Sequence, residues 1–461
     1  MSFPPLTAFS GLTQWATTAN YPAGTEPCAA SPTKVAPGYT YLTPGVSPGA
    51  TELNSLFSEW TAGINTGSGG SGLLAQFAPT LGQYWPWSGV GYSPSGSDQL
   101  LNEAVWDSVN SQWIYLATVA ATGAPIVFRS PDGSHITAAG TTNAGFNLLA
   151  GVAVEPSAGT IVVYDMQLPQ FRYSTDMGNT FSTGSSTLPS SANWSVVVPS
   201  PWSSFMVYFL GNFYLIACTY LSGNYSVKMW TAPAFGYGGS TVWTDRTSSL
   251  PSSFGGTTTT APKFRYCVTG GALVVAASGL SAGGVKIAAI GTPTVVTDVS
   301  TNLPFPSGFA PNALNGLVYS AIEDRVVLSA GGSTGGSQLV SMPSATLFTT
   351  SSTGWTSDYT FTNAFVGGDL ACCGALYFQT VPAGVTPGAL HPVANCYVGT
   401  SRAAWGLANN YGGTVAQFGG SDYAAPGKIV CNGNQLLSTM QKHYLVTSPQ
   451  GLPGSPNGAS L

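Results

Sequence analysis

The stretch Gly211–Tyr220, GNFYLIACTY, decides the reading of this chain. Two turn residues, Gly211 and Asn212, open an uninterrupted apolar run too short for a helix and rich in strand formers. The same unit recurs six more times: WIYLAT from Trp113, TIVVYDM from Thr160, ALVVAAS from Ala272, RVVLSA from Arg325, LYFQT from Leu376 and QLLSTM from Gln435. Successive starts are 47, 53, 59, 53, 51 and 59 residues apart. Turn formers stand before the copies, among them Gly159, Gly270-Gly271, Asp324, Gly374 and Gly433-Asn434, and Asn110 precedes the first by three residues. Such residues tolerate the positive φ of tight hairpins.

A second strand follows each copy, as in PIVFRS from Pro125, QFRYST from Gln170, YSVKMW from Tyr225 and KHYLVT from Lys442. Each unit therefore holds at least one hairpin, and a 3.6-residue apolar period is scarce. An all-β repeat near 50 residues predicts a β-propeller with one four-stranded blade per unit. Seven blades are expected, or six if one repeat core is misassigned. The tail after KHYLVT, PQGLPGSPNGASL, is a poor outer strand. Either a strand within Gly82–Tyr92 completes the last blade and closes the ring, or that blade keeps three strands.

Only 6% of the 461 residues are charged and the net charge is −5, while 44% are hydrophobic and 12% aromatic. Ordinary globular chains carry about 25% charged residues, so this surface must be neutral and polar. The six Lys and six Arg are too scattered for a nucleic-acid face. No run of about 20 apolar residues suggests a membrane span, and the start lacks a secretory leader pattern. The seven cysteines follow no zinc spacing. Cys218, Cys267 and Cys431 fall in or beside strands and are expected as buried free thiols; the vicinal Cys372-Cys373 is read as packing.

Residues 1–80 differ from the repeats and form a separate region ahead of a propeller over 81–461. A Pro/Gly-rich arm leads to a helix over 48–65, capped by Ser47. Leu53, Leu56, Phe57, Trp60 and Ile64 make one apolar stripe at helical spacing. Gly67–Gly72, GSGGSG, ends it as a linker.

Two loops carry a resemblance. Ser174-Thr175-Asp176-Met177-Gly178-Asn179-Thr180-Phe181 resembles the Asp box, Ser-x-Asp-x-Gly-x-Thr-aromatic, of sialidase-like propellers. Ser130-Pro131-Asp132-Gly133 resembles its shorter variant. The resemblance implies a structural turn between the third and fourth strands of a blade, on the rim away from a substrate face. Its roles fall on Ser174, Asp176, Gly178, Thr180 and Phe181, and on Ser130, Asp132 and Gly133. The sialidase catalytic set is not matched. Phe128-Arg129-Ser130-Pro131 departs from the family's first arginine motif, and no glutamate has a partnering tyrosine beside it. Arg265 and Arg402 alone do not make an arginine triad.

A second resemblance lies over Pro32–Trp60, PTKVAPGYTYLTPGVSPGATELNSLFSEW, which is similar to N-terminal segments of tailed-bacteriophage fibre and tail-associated proteins. It implies a virion component: a tail fibre, tail tip or neck appendage whose N-terminal region binds other virion proteins, with Leu53, Leu56, Phe57, Trp60 and Ile64 as attachment residues. The propeller is then expected to recognise a host-surface glycan or to contact neighbouring subunits, as a homo-oligomer in the particle. Trp85, Trp87, Trp202, Tyr237, Trp243, Trp355, Trp405 and Tyr411 are candidate sugar platforms, although propeller aromatics commonly pack between blades.

Other glycosidases need two opposed carboxylates. Asp98, Asp107, Asp165, Asp245, Asp298, Asp358, Asp369 and Asp422 could supply them, but most stand at turns. No Gly-x-Ser-x-Gly elbow, phosphate loop, metal-spaced histidine set or cofactor motif is present. The expected protein is not an enzyme and carries no cofactor or metal. A glycan-cleaving propeller and a bacterial lectin or scaffold are the alternatives.

Overall fold

The second strand of the fourth sheet shows why this sequence repeats as it does. Leu273–Ser278, LVVAAS, is buried along its whole length. Leu273, Val275 and Ala277 face an apolar core shared with the third sheet, through Phe205, Tyr214 and Ile216. Val274 and Ala276 face the opposite core, shared with the fifth sheet through Val326, Leu328 and Val340. A strand covered on both faces reads as a continuous apolar run rather than an alternation. The echo in the sequence is the set of strands that lie between two neighbouring sheets.

The computed structural model describes residues 89–92, 98–119, 125–131, 137–138, 149–165, 170–187, 203–233, 243–301, 303–305, 311–332, 336–349, 354–361, 369–373, 376–380, 396–408, 429–431, 436–439 and 443–447. These form seven four-stranded antiparallel sheets, and the protein is an all-β propeller. The chain divides into two units, Met1–Thr80 and Leu81–Leu461. All described residues belong to the second. The helix expected over 48–65, with Leu53, Leu56, Phe57, Trp60 and Ile64, lies outside the described residues.

In six sheets the strands lie in chain order from inside to outside. The innermost are Asp98–Asp107, Leu149–Glu155, Ser204–Phe209, Lys263–Val268, Pro311–Ser320 and Leu370–Cys373. Each adjoins the innermost strand of the next sheet, and Leu370–Cys373 adjoins Ile429–Cys431 of the seventh. The seventh sheet also abuts the first, which brings the ring round.

Closure is made by an early strand. The last sheet runs Ile429–Cys431, Leu436–Thr439, His443–Thr447 and then Gly89–Tyr92. Gly89 pairs with Val446 and Tyr92 with His443. Of the two readings the tail left open, a borrowed outer strand is the one adopted. It gives the edge of the last sheet backbone partners that the Gly/Pro-rich tail could not supply.

Two glycines let the inner strands approach. A Cβ on Gly316 would stand 2.3 Å from Leu370 Cβ and 2.5 Å from the Leu370 backbone nitrogen. A Cβ on Gly151 would stand 2.6 Å from the backbone nitrogen of Met206. Both glycines lie where the innermost strand slips register against its neighbour, as bulged glycines do where another backbone comes close.

Gly316→Ala should therefore lower stability by about 1–3 kcal/mol through overpacking against backbone. Gly270→Ala, whose Cβ would meet nothing within 4 Å, should stay within about 0.5 kcal/mol of the parent. Urea unfolding midpoints of the two variants measure the difference.

Candidate functional site

Antiparallel strands give the propeller two chemically separate faces. Turns between the first and second strands, and between the third and fourth, lie on one face, here the turn face. Links between the second and third strands, and from one sheet to the next, lie on the other, the loop face.

The turn face is built from side chains that accept backbone amides. Asp107 ends the innermost strand of the first sheet and is fully buried. Its Oδ1 accepts the amides of Val109 and Asn110 at 3.2 and 3.1 Å. Its Oδ2 accepts Asn110 Nδ2 at 2.8 Å and Gln112 Nε2 at 3.0 Å. Glu155 does the same one sheet later, taking the amides of Ser157 and Ala158 at 2.9 and 2.7 Å. Burial acts to raise the Glu155 pKa, but the bonds from Ser157, Ala158 and Tyr208 hold it below the ordinary value. In the fourth sheet a neutral group serves: Thr269 Oγ1 accepts the amides of Gly271 and Ala272.

The loop Ser174–Phe181 joins the third and fourth strands of the second sheet. Ser174 Oγ donates to Asp176 Oδ1 at 2.7 Å and accepts the Gly178 amide at 2.9 Å. Asp176 also accepts the Thr180 amide at 2.9 Å and the Thr180 hydroxyl at 2.6 Å. Met177 and Gly178 have φ of 62° and 83°. Phe181 is buried in the core between the first and second sheets, with Ile114, Leu116 and Val163. The Met177 carbonyl accepts Gln112 Nε2 and Arg129 Nη1 of the first sheet, each at 3.2 Å. The loop thus locks its own turn and ties two sheets together. Of the second motif, Ser130 is fully buried; Asp132 and Gly133 lie outside the described residues.

A charged cluster repeats that tie between the fifth and sixth sheets. Arg402, in the turn between the third and fourth strands of the sixth, donates to Glu323 Oε2 at 2.7 Å and to Asp358 Oδ1 at 2.5 Å. Arg325 donates to Ser341 Oγ and Thr356 Oγ1, both at 2.8 Å.

The innermost strands line a central cavity of about 250 Å³. Arg265 of the fourth sheet reaches past the fifth to Asp369, which opens the innermost strand of the sixth; Nε meets Oδ1 at 3.0 Å. Both side chains are more than nine-tenths buried. Arg265 Nη1 also donates to the Phe264 carbonyl, and Gln379 Nε2 to the Asp369 carbonyl. The cavity is smaller than the roughly 300 Å³ at which pockets for drug-sized ligands begin.

The candidate carboxylates are placed at separate structural positions. Asp107, Asp358 and Asp369 make the bonds given above. Asp298 accepts Ser253 Oγ of the third sheet's outgoing loop at 2.5 Å and the Ser300 amide at 2.9 Å. Asp245 accepts the Thr247 amide. Burial acts to raise the Asp298 pKa, and the bonds from Ser253 and Ser300 outweigh it, leaving the group low. A general acid needs the opposite shift. Asp422 lies outside the described residues, as do the side chains of Asp98 and Asp165. Among the described residues no group of three or more His, Cys, Asp or Glu could hold a metal ion.

Two of the proposed sugar platforms pack between sheets instead. Trp243 is buried and stacks on Phe171 with ring centroids 3.9 Å apart. Trp355 is buried and donates its indole N–H to the Val299 carbonyl of the fourth sheet at 2.8 Å. Large rings fill the space between diverging sheets, which outweighs their use on a surface. Trp85, Trp87, Trp202, Tyr237 and Tyr411 lie outside the described residues, as does the side chain of Trp405.

The cysteines require one correction. Cys218 and Cys267 are buried free thiols, as expected, and burial pushes the Cys218 thiol up to about 12. Cys431 is not free but disulfide-bonded. It lies on an innermost strand beside the innermost strand of the sixth sheet, and nothing in its sequence spacing marks that proximity.

No family model matches the chain, and no curated protein matches it. Solved structures do resemble it in fold. YCF48 from Cyanidioschyzon merolae superposes with a TM-score of 0.48 at 11% identity, over 78% of this chain and 98% of that one. The GH74 xyloglucanase from Xanthomonas campestris gives 0.44 at 14% identity, over 81% of this chain and 54% of that one. The Cps50 (Swd1) β-propeller domain of Myceliophteria thermophila gives 0.40 at 9% identity, over 78% of this chain and 96% of that one. At these identities the likeness is one of fold alone.

Two substitutions test these ties. Asp176→Asn should cost about 1–2 kcal/mol near neutral pH. Partial burial acts to raise the Asp176 pKa, but the bonds from Thr180 and Ser174 outweigh it and leave the pKa depressed. Its stabilisation is therefore present above the unfolded pKa and lost as the pH falls through the folded one. The gap between parent and variant in denaturant midpoint should close below about pH 4. In the cavity, Asp369→Leu should cost about 3–5 kcal/mol by removing the carboxylate that faces the buried Arg265 charge, and Arg265→Met in the same chain should recover most of it. A double-mutant cycle by thermal unfolding reads the recovery.

Proposed function

We propose that this chain is a structural, non-enzymatic component of a tailed-phage particle, in a tail fibre, tail tip or neck appendage. Its N-terminal region is the anchor to other virion proteins, and its propeller presents loops to a host-surface glycan or to neighbouring subunits. In this reading Ser174–Phe181 is an Asp box that serves as an inter-sheet staple, and Leu53, Leu56, Phe57, Trp60 and Ile64 are the attachment stripe.

The observation that carries the reading is how the scarce charge is used. Asp107, Glu155, Asp176, Asp298, Glu323, Asp358 and Asp369 each bond a turn or a neighbouring sheet. A surface left to hydroxyls, amides and glycine suits adhesion through hydrogen bonds more than bond cleavage. The loop face supports this. Its described segment 246–262, RTSSLPSSFGGTTTTAP, is dominated by hydroxyl side chains. Such groups donate to and accept from sugar hydroxyls without a charge to screen.

The test uses particles that lack this protein. Full-length chain should restore an appendage visible by negative stain, and Leu56→Glu with Trp60→Glu should abolish it while the propeller still melts cooperatively. A wild-type chain that binds no particles but shortens a surface polysaccharide would replace this reading with the glycan-cleaving one.

A further inference from the structure

The innermost strands at the junction of the sixth and seventh sheets end alike. Leu370–Cys373 and Ile429–Cys431 adjoin, and the last residue of each is a cysteine. Both cysteines stand at the turn-face end, beside the turns that lead to Leu376 and Leu436.

Cys431 is disulfide-bonded, and the other six cysteines of the chain limit its partner. Cys218, Cys267 and Cys372 are free thiols, although Cys267 and Cys372 line the same cavity as Cys431. Cys28, Cys373 and Cys396 remain. Cys28 belongs to the other unit, Met1–Thr80. Cys396 pairs with Thr380, at the loop-face end of the strand whose opposite end, Leu376, pairs with Cys373. Four residues of strand separate those ends by about 13 Å, and a disulfide needs Cα atoms within about 7 Å. That leaves Cys373 as the one set on an adjoining strand at the same end.

The period of the strand gives the direction. Leu370 and Cys372 pack with Val327, Leu339 and Phe361 of the fifth sheet. Successive residues of a strand belong to opposite faces. Position 373 therefore falls on the face toward the seventh sheet, which holds Cys431. Burial also pushes the Cys372 thiol up to about 11, so it supplies little thiolate for exchange near neutral pH.

This junction is where the ring is made from both ends of the chain. The seventh sheet takes its outer strand from Gly89–Tyr92, held by backbone pairing from Gly89 with Val446 to Tyr92 with His443. A covalent link at the hub ties the same sheet to the preceding repeat without using that strand. Positions 373 and 431 are 58 apart, and a cross-link that closes a long loop restricts the unfolded chain more than one that closes a short loop.

We propose that Cys431 is bonded to Cys373, and that the bond is a redox-dependent clasp between the sixth and seventh sheets. It closes by exchange with a small-molecule disulfide. One cysteine thiolate attacks the small disulfide and displaces a first small thiol. The other thiolate then attacks the mixed disulfide and displaces the second. The two protons lost by the cysteines leave on the two small thiols, and a dithiol reductant reverses both steps. The clasp is independent of the virion reading.

The test uses the full-length chain, with free thiols alkylated before digestion. Unreduced, the peptide that carries Cys431 should be joined to the one that carries Cys373, and fragment ions should place the bond at 373 rather than 372 or 396. After reduction it should run alone. Treating the intact parent with a dithiol should lower its melting temperature by about 3–6 °C, and a small disulfide should restore it. Cys373→Ala and Cys431→Ser should each melt with the reduced parent and no longer respond to the dithiol, while Cys396→Ala should keep the full response. A Cys431 joined to Cys28 or Cys396, or still open to alkylation after the small disulfide, overturns the pairing. A parent whose bond is cleaved yet melts unchanged overturns the clasp.

Discussion

The ring depends on how closely neighbouring innermost strands can approach. Sheets that diverge outward must converge at the centre, and there side chains no longer fit between backbones. At Gly316 against Leu370, and at Gly151 against Met206, the absent Cβ is what permits contact. The wider spaces further out are filled by larger groups. Phe171 stacked on Trp243, and Trp355 bonded across to Val299, lie in those spaces. Small residues at the hub and rings between the sheets are two consequences of one wedge-shaped geometry.

Scarcity of charge gives each ionic group a specific task. With 12 basic and 17 acidic residues in the whole chain, most described carboxylates are found holding a turn or joining two sheets. Asp107, Glu155 and Thr269 share the task of accepting backbone amides, which a hydroxyl takes over in the fourth sheet. The Arg265–Asp369 pair is of another kind. It crosses the wall of the cavity and links the fourth sheet to the sixth without touching the order of the chain between them. Buried pairs of this kind add little net stability over apolar residues of similar volume.

The two faces differ because they are made by different connections. On one face the turns from first to second strands are short, as at 108–111, 156–159 and 321–324, whereas third-to-fourth links such as 344–355 are longer. Longer links on the other face can fold back and present hydroxyl groups, as 246–262 does with Ser253 bonded to Asp298. A propeller is a platform on which such differences are placed, so function has to be sought in the faces rather than in the fold.

The sequence by itself determined the all-β repeat, because the second strands of the first five sheets are largely buried between neighbouring sheets and so read as mostly apolar runs. It also made the Ser174–Phe181 turn legible, since Asp176, Gly178 and Thr180 act on their own local backbone. The strand that closes the last sheet was legible only as one of two choices: Gly89–Tyr92 has no strong pattern, and pairing with His443–Thr447 joins residues more than 350 positions apart. Tertiary structure alone decided the rest. Arg265 and Asp369 meet across 104 residues, Cys431 finds a disulfide partner, and Trp243 and Trp355 turn inward. Each of these depends on which sheets stand side by side and which ends of the strands point the same way. No local pattern encodes either, because a propeller brings together residues that the chain separates by one whole repeat or more.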